Sequence, residues 1–340
     1  MNAALTDRVL VAGRDAGLAA VGITTADPFV ETRVALEQRR AAGLSASMQF
    51  TYRNPARSTE PGRMLDGARS LVVGAWPTAN TVGVTGANQG RVGRYVWRDH
   101  YAELRVALEQ VAELLRADGY EARIAVDDNA LVDRAAAHRA GLGWYGKNAN
   151  VLVPGHGSWV VLGSVVTTAP LVAQETPVPD GCGSCNRCLD GCPTQAIVAP
   201  GVVDARRCLA WLVQADGEFP VEFRAALGDR IYGCDDCQEV CPPARTAARK
   251  SPTGTPMTVD LLWLVQATDD EILAAHGSWY IAKRDPRFVR RNALIALGNR
   301  GDPHSELVVR SVRKWADSTD QLLAEHARWA LDRLAERAAA

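Results

Sequence analysis

Apolar residues follow a helical period in some segments of the chain and form short runs in others. Residues 5–18 and 104–115 place leucine and valine three or four positions apart, which predicts amphipathic helices. The runs bounded by turn residues predict strands, at 69–76, 121–126, 150–153 and 159–167. The last two runs flank Pro-Gly-His-Gly, which predicts a hairpin of two strands joined by a tight connection. We therefore expect a mixed α/β domain in the first half of the chain.

Turn-forming residues separate these predicted elements. Residues 78–94 are rich in Gly, Asn and Thr and predict a loop. The Asp-Asp-Asn sequence at residues 127–129 supplies N-cap side chains for a predicted helix that ends at Gly141.

The last part of the chain has the pattern of successive helices. Thr268 and Glu271 have capping-box spacing, and prolines and caps predict helix starts near 286, 303 and 319. This spacing is typical of a stacked helical repeat. We expect three parts: an α/β domain over 1–172, a cysteine-containing domain over 173–245 and a helical repeat-like region over 246–340.

Composition and charge narrow the class of protein. The 340 residues are 47% hydrophobic and 23% charged, with a formal net charge of -1. Apolar runs such as 261–265 are too short to cross a bilayer, so we expect no membrane contact. Residues 1–10 lack an apolar export segment, which predicts a cytoplasmic location, and we expect a monomer. A nucleic acid partner would need a local basic patch.

The eight cysteines have the spacing of ferredoxins that bind two 4Fe-4S clusters. One run, CxxCxxCxxxCP, begins at Cys182, and an interrupted run begins at Cys208, with 25 residues before the next cysteine, Cys234. In the bacterial ferredoxin run, the fourth cysteine binds the neighbouring cluster. This crossing rule predicts Cys182, Cys185, Cys188 and Cys241 for cluster 1 and Cys192, Cys208, Cys234 and Cys237 for cluster 2.

Other uses of the cysteines fit the spacing less well. The cytoplasm keeps thiols reduced, which favours metal ligands over disulfides. A four-cysteine zinc site would leave four thiols over, and a catalytic dithiol needs a thioredoxin-like unit. The cysteines therefore indicate an electron-transfer path. Because no GxGxxG follows a predicted strand, the spacing leaves the electron acceptor open.

Longer motifs resemble a known family. AGLGWYGKN begins at Ala140, CLDGCPTQAI occupies residues 188–197, and IYGCDDCQEVCP occupies residues 231–242. With Asp127, these segments resemble the epoxyqueuosine reductase family. The resemblance implies cobalamin bound between a reductase-like α/β (α+β) domain and a ferredoxin-like double-cluster domain, followed by a C-terminal α-helical, HEAT-like region that helps to hold tRNA.

The resemblance also implies an activity. Family members reduce epoxyqueuosine at the tRNA wobble position to queuosine, with electrons passing through the clusters to cobalamin. We expect the electrons to come from an external flavodoxin- or ferredoxin-type donor. Two alternatives stay open, a cobalamin-dependent reductive dehalogenase-like enzyme and a simple two-cluster electron carrier.

Individual roles follow from the same resemblance. Asp127 would donate a proton to the epoxide oxygen, whereas the local sequence favours a helix cap. Core packing explains Leu162 and Ala210 equally well, and a solvated turn would explain Lys147 and Asn148. The positions expected to bind cobalamin are Arg57, Asp127, Lys147, Asn148, Val151, Gly157, Ser158, Leu162, Ala210, Tyr232, Gly233 and Asp235. Arg94, Tyr95, Asp99 and His100 lie in or beside segments that the family uses near substrate and cofactor.

One run of basic residues is a candidate contact with tRNA. Five cations within nine residues at a predicted helix start could neutralise tRNA phosphates, although a solvated helix face would explain them as well. They are Lys283, Arg284, Arg287, Arg290 and Arg291.

The chain differs from the family's usual pattern at two places. Gly93 stands where some relatives carry a cysteine. The usual Asp-Tyr-His order appears as Asp-His-Tyr at residues 99–101.

Overall fold

The computed structural model describes residues 2–78, 86–174, 176–250 and 257–340. Its strands are β1 (Ala20–Thr25), β2 (Ser70–Pro77), β3 (Gln89–Val92), β4 (Ala122–Val126), β5 (Trp144–Tyr145), β6 (Val151–Leu152), β7 (Val160–Thr167), β8 (Ile197–Ala199), β9 (Val202–Val203), β10 (Arg230–Tyr232) and β11 (Thr258–Asp260).

The helices of the first half of the chain are α1 (Ala3–Asp15), α2 (Val30–Ala41), α3 (Phe50–Arg53), α4 (Pro55–Ser58), α5 (His100–Ala117) and α6 (Asp133–Arg139). Those of the second half are α7 (Arg187–Asp190), α8 (Leu209–Leu212), α9 (Val221–Leu227), α10 (Asp236–Glu239), α11 (Pro242–Lys250), α12 (Leu261–Gln266), α13 (Asp269–His276), α14 (Arg287–Arg300), α15 (Glu306–Ala316) and α16 (Gln321–Ala338). Within the described ranges, no helix is both long and apolar enough to span a membrane.

A four-stranded antiparallel sheet with the order β1-β2-β7-β4 forms the α/β part. Val72 of β2 faces α1 and α5, whereas Leu71 and Val73 face α2 and α6. Both faces of the central strands are therefore covered, which explains why β2 and β7 are continuous apolar runs. The predicted strands at 69–76 and 121–126 are confirmed.

Helix α5 shows how the predicted pattern becomes structure. Leu104, Leu108, Val111 and Leu115 are fully buried along one face. Asp99 caps the helix, because its side chain accepts a hydrogen bond from the Ala102 backbone N–H at 2.9 Å. The predicted amphipathic helix is confirmed.

A three-stranded sheet with the order β10-β3-β11 joins distant segments. β3 pairs parallel with β10 and antiparallel with β11. The prediction of a loop over 78–94 is therefore wrong for β3, while residues 79–85 of that segment lie outside the described residues. Gly90 of β3 has no room for a side chain, since a Cβ there would lie 2.4 Å from Ile231.

The last segment packs as helices around α14. Its core joins α12, α14, α15 and α16 with residues of the three-stranded sheet. The capping box at Thr268 is confirmed. Helices α14 and α16 begin near the predicted positions. α15 begins at Glu306, three residues after the predicted start, because Ser305 rather than Asp302 caps it.

Two local predictions are wrong. Residues 127–129 do not cap the following helix, since α6 begins at Asp133 after Val132, which makes no side-chain cap hydrogen bond in the described structure. The predicted strands at 150–153 and 159–167 exist but do not pair as a hairpin. β6 pairs with β5, whereas β7 lies in the four-stranded sheet.

Candidate active site and cluster segment

Four thiols form one neighbourhood in the cysteine segment. Burial raises the pKa of Cys188, and Cys182 and Cys185 raise it further. Burial also raises the pKa of Cys241, to which the other three thiols add. The set Cys182, Cys185, Cys188 and Cys241 has the composition expected for cluster 1.

The remaining thiols form a second neighbourhood. Burial raises the pKa of Cys237 well above its usual value, and Cys234, Cys208 and Cys192 raise it further. All eight cysteines are free thiols. These mutual electrostatic effects divide the eight thiols into two sets of four, the number of ligands that each 4Fe-4S cluster would need. Bound metal would favour the thiolate forms that burial opposes.

Asp127 lies at the end of β4 in an unusual backbone conformation. Its φ is +52°, a left-handed value that costs free energy for a residue with a side chain. Burial raises the pKa of Asp127, although the nearby Arg105 opposes this shift. Arg105 itself donates to the Val126 carbonyl at 3.1 Å. A carboxyl group of raised pKa is suited to proton donation.

Several groups near Asp127 have pKa values raised by burial. Burial raises the pKa values of Tyr101 and Tyr232, and Asp127 contributes to both shifts. Burial also raises the pKa of Asp133 well above its usual value, with Asp127 adding to it. The sequence pattern did not predict a role for Asp133. It drew attention to Tyr101 only because of the order of residues 99–101. Local spacing could not show that Asp133 and Tyr101 lie near Asp127, because the fold brings these residues together.

Tyr232 is held from several sides. Its hydroxyl accepts a hydrogen bond from the Tyr280 backbone N–H at 2.8 Å and bonds with the Tyr95 hydroxyl. Its ring stacks on Trp279, with 4.6 Å between centroids. These contacts hold Tyr232 in place, and the Asp127 charge contributes to the raised pKa of its hydroxyl.

Two glycines let β10 and the end of β3 meet closely. Gly93 donates its N–H to the Tyr232 carbonyl at 2.7 Å. Gly233 has a φ of +77°, and a Cβ there would lie 3.1 Å from the Cα of Gly93. A Cβ at Gly93 would in turn lie 2.9 Å from the Tyr95 ring. A cysteine at position 93 would therefore require this tyrosine to shift.

Buried polar groups without partners collect around Trp159. The Arg94 guanidinium lies 4.0 Å from the Trp159 ring centroid, and the Thr78 N–H donates to the Trp159 carbonyl. Thr78 Oγ1, Ser158 Oγ and one Arg94 Nη have no hydrogen-bond partner in the part of the chain that the structure describes. Such groups cost roughly 1–3 kcal/mol each when unpaired. A polar ligand would satisfy them.

The Gly-Lys-Asn turn after β5 contacts the cysteine segment. Lys147 Nζ donates to the Gly183 carbonyl at 2.8 Å and to Asn186 Oδ1 at 3.0 Å. Asn148 Nδ2 donates to the Cys237 carbonyl at 3.4 Å. The side chains of this turn therefore contact protein and are not simply solvated. The turn lies against segments that carry cysteines of both sets.

The other predicted cofactor positions lie in different surroundings. Gly157 has a φ of +61° and packs on Ala244. Exposed Arg57 is on α4, where the neighbouring Ser58 hydroxyl donates to the Asn129 carbonyl, two residues after Asp127. Val151 is buried in β6, and Leu162 packs against the core on the α2 side of the sheet. Ala210 lies in α8, which Cys208 precedes as the N-cap residue. The Asp235 carboxylate accepts a hydrogen bond from the Arg94 backbone N–H.

The basic run is divided by burial. Lys283, Arg284 and Arg287 are exposed. Arg290 and Arg291 are only 3% and 0% exposed. The predicted phosphate contacts are therefore wrong for Arg290 and Arg291, because charged groups buried in the fold cannot reach a nucleic acid backbone.

Comparisons with known proteins agree with these features. Residues 181–244 match the family described as the 4Fe-4S double cluster binding domain. The chain is 33% identical to the epoxyqueuosine reductase of Xanthomonas campestris, covering 95% of this chain and 94% of that protein. It is 32% identical to that of Staphylococcus aureus, covering 92% and 87%. The chain belongs to the epoxyqueuosine reductase family.

Solved structures of epoxyqueuosine reductases have the same fold. Two are similar to this chain with a TM-score of 0.87 and 28% identity, covering 97% of this chain and 90% of the other. One contains a tRNA-Tyr epoxyqueuosine-modified stem loop. The other, from Bacillus subtilis, has an aspartate catalytic loop swung out of the active site.

Proposed function

We propose that this protein reduces the epoxide of epoxyqueuosine at the wobble position of tRNA to queuosine. The observation that carries the proposal is similarity along nearly the whole chain to epoxyqueuosine reductases. This similarity favours tRNA over a halogenated substrate or a role as a plain electron carrier. The net change consumes two electrons and two protons, and the epoxide oxygen leaves as water.

The electrons would pass through two 4Fe-4S clusters. Cluster 1 is proposed to bind Cys182, Cys185, Cys188 and Cys241, and cluster 2 to bind Cys192, Cys208, Cys234 and Cys237. The mutual electrostatic effects within each set support this division. A flavodoxin- or ferredoxin-type donor would supply the electrons to a monomeric enzyme in the cytoplasm.

Cobalamin is the proposed electron acceptor between the clusters and the substrate. When bound, it supplies a low-valent cobalt that can reduce the epoxide. The unpaired polar groups of Thr78, Ser158 and Arg94 fit a ligand rich in amides. Lys147, Asn148 and the Tyr232-Gly233 backbone would line the same site, together with Arg57, Val151, Gly157, Leu162, Ala210 and Asp235.

Asp127 is the proposed proton donor. Its raised pKa keeps a larger fraction of the carboxyl protonated than for an ordinary aspartate. Proton transfer from Asp127 to the epoxide oxygen would make that oxygen a better leaving group.

The exposed part of the basic run and the C-terminal helices are proposed to hold tRNA. Lys283 pairs with Asp216, and Arg287 pairs with Asp285 and Asp320. Exposed ion pairs contribute little, so phosphates could replace the carboxylates at little cost. Arg284 would add a third contact. Helices α14, α15 and α16 would form a short HEAT-like unit in the region 246–340, after the proposed domains 1–172 and 173–245.

Anaerobic reconstitution tests the proposal. The protein is loaded with iron, sulfide and cobalamin and assayed on epoxyqueuosine-containing tRNA, with queuosine measured by mass spectrometry. Turnover is expected with wild type and not without cobalamin, and Asp127→Asn should lower it. A loaded protein that binds no corrinoid and forms no queuosine would refute the proposal.

A further inference from the structure

The 25 residues between Cys208 and Cys234, here called the insertion (209–233), are held by helix α14 of the C-terminal region. Arg291 donates hydrogen bonds to the carbonyls of Leu212, Ala215 and Gly217. These carbonyls belong to the end of α8 and the turn that follows it. Arg291 is fully buried, so the contacts lie within the molecule and not on its surface.

Asn292 connects the two ends of the insertion. Its Nδ2 donates to the Val213 carbonyl at 2.7 Å and to the Ile231 carbonyl at 3.1 Å. Its Oδ1 accepts from Arg291 Nε and one Nη at 3.1 and 3.0 Å. One side chain therefore holds a residue five positions after Cys208 and a residue three positions before Cys234.

A further side chain of the same helix holds the middle of the insertion. Asn299 Nδ2 donates to the carbonyls of Arg224 and Gly228 at 2.8 and 3.1 Å. Along α14, the insertion thus gains a series of hydrogen bonds to its backbone. Helices α8 and α9 and strand β10 already order parts of the insertion. The hydrogen bonds to α14 also fix its two ends relative to each other, which lowers the conformational entropy that closing the loop between the two cysteines would cost.

We infer that Arg291 and Asn292 are positioning residues for cluster 2, which hold Cys208 and Cys234 at the separation that the cluster requires. The C-terminal helices are then part of the iron-sulfur scaffold. This inference rests on the cluster assignment of the proposed function but not on its tRNA substrate.

Arg290 provides a matched control. It lies on the same helix and is 3% exposed, but it donates to Asp269 Oδ1 at 2.9 Å and to the Ala267 carbonyl at 2.8 Å. Both partners belong to the C-terminal region. Replacing Arg290 removes a buried arginine from α14 and leaves the hydrogen bonds to the insertion in place.

The experiment compares Arg291→Gln, Asn292→Ala and Arg290→Gln after anaerobic reconstitution with iron and sulfide. Iron per chain and the electron paramagnetic resonance spectrum of the reduced protein are measured, with Cys208→Ala as the reference for a damaged cluster 2. Arg290→Gln should keep about eight irons, whereas Arg291→Gln and Asn292→Ala should fall to about four. Their spectra should match that of Cys208→Ala.

Two results would overturn the inference. One is full iron content in Arg291→Gln and Asn292→Ala, and the other is an equal loss in all three variants at equal melting temperature. If Arg291→Gln does not fold, Asn292→Ala decides alone, since it removes a smaller group. Iron loading is measured without tRNA, so a protein that fails on epoxyqueuosine could still show the expected loss.

Discussion

At the scale of single residues, Asp127 predicts how activity depends on pH. Its folded-state pKa is raised, and only the protonated carboxyl can donate. Turnover should therefore fall as pH rises through this raised pKa. Asp127→Asn should lower kcat/KM by about 100-fold or more and remove this pH limb. The pH profile of kcat/KM on a modified tRNA stem loop measures both effects.

Asp128 is the control for this prediction. Its Oδ1 accepts from the Ala130 N–H at 2.9 Å, a role that an amide oxygen can keep. Asp128→Asn should therefore keep the pH limb, moved slightly to lower pH because the Asp128 carboxylate also raises the pKa of Asp127. An unchanged pH limb in Asp127→Asn would show that another group donates the proton.

Replacing Gly157 should lower the stability of the fold. A Cβ there would lie 2.5 Å from the Cα of Ala244, in a backbone with φ of +61°. Gly157→Ala should cost about 2 kcal/mol or more, from strain and from the clash with α11. Gly155 has a φ of +80° with nothing within 4 Å of a Cβ, so Gly155→Ala carries the strain alone. Equal unfolding free energies for both variants would contradict the clash.

Single residues could be predicted from the sequence where their chemistry depends on local spacing. The eight cysteines are such a case, because the ferredoxin run is a local pattern. Arg290 and Arg291 are the opposite case. A cluster of cations in a sequence indicates a surface, and only the carbonyls of Leu212, Ala215 and Gly217, more than 70 residues away, explain why Arg291 is buried.

At the scale of elements, His326 links α16 to the insertion and predicts a loss of stability in acid. Its Nε2 accepts from the Phe219 N–H at 3.1 Å, and its Nδ1 donates to the Leu322 carbonyl. Burial lowers the pKa of His326 to about 4, and Arg224 and Arg291 lower it further. Because the unfolded chain binds this proton more readily, stability should fall as pH drops below about 6.5 towards 4.

The expected loss from His326 is on the order of 1 kcal/mol by about pH 5.5. Denaturant unfolding at neutral and mildly acidic pH measures it. His326→Gln should reduce the pH dependence by this amount while lowering stability at neutral pH. The same slope in the variant and wild type would assign the acid sensitivity to other groups.

Elements could be predicted where their own periodicity decides them. Helix α5 has the amphipathic period of a helix, β2 and β4 contain apolar runs bounded by turn residues, and a capping box marks the start of α13. Strand β3 has no such signal. It contains Gly90, and it is a strand because β10 and β11 pair with it from distant parts of the chain. A local pattern cannot show such pairing.

At the scale of the whole molecule, the three-stranded sheet predicts that the C-terminal region is needed for folding. A chain that ends at residue 250 lacks β11 and α14, which leaves Val92, Ile231 and Tyr232 without most of their core. Such a chain should lose the cooperative thermal transition of the full-length protein and the iron of cluster 2. Calorimetry and iron analysis measure these losses.

Expression of residues 257–340 as a second chain should restore both properties at least in part, because the sheet and the helix contacts can form between two chains. A shortened chain with full iron content and an unchanged melting temperature would contradict this prediction.

The shared sheet also bears on how such proteins can diverge. β3, β10 and β11 come from the three predicted parts of the chain, and each depends on the side chains of its neighbours. Recombination that exchanged one part with a relative would bring together strands that had not changed in step. Hybrids assembled from two relatives are therefore expected to form this three-stranded sheet poorly unless all three strands come from the same parent.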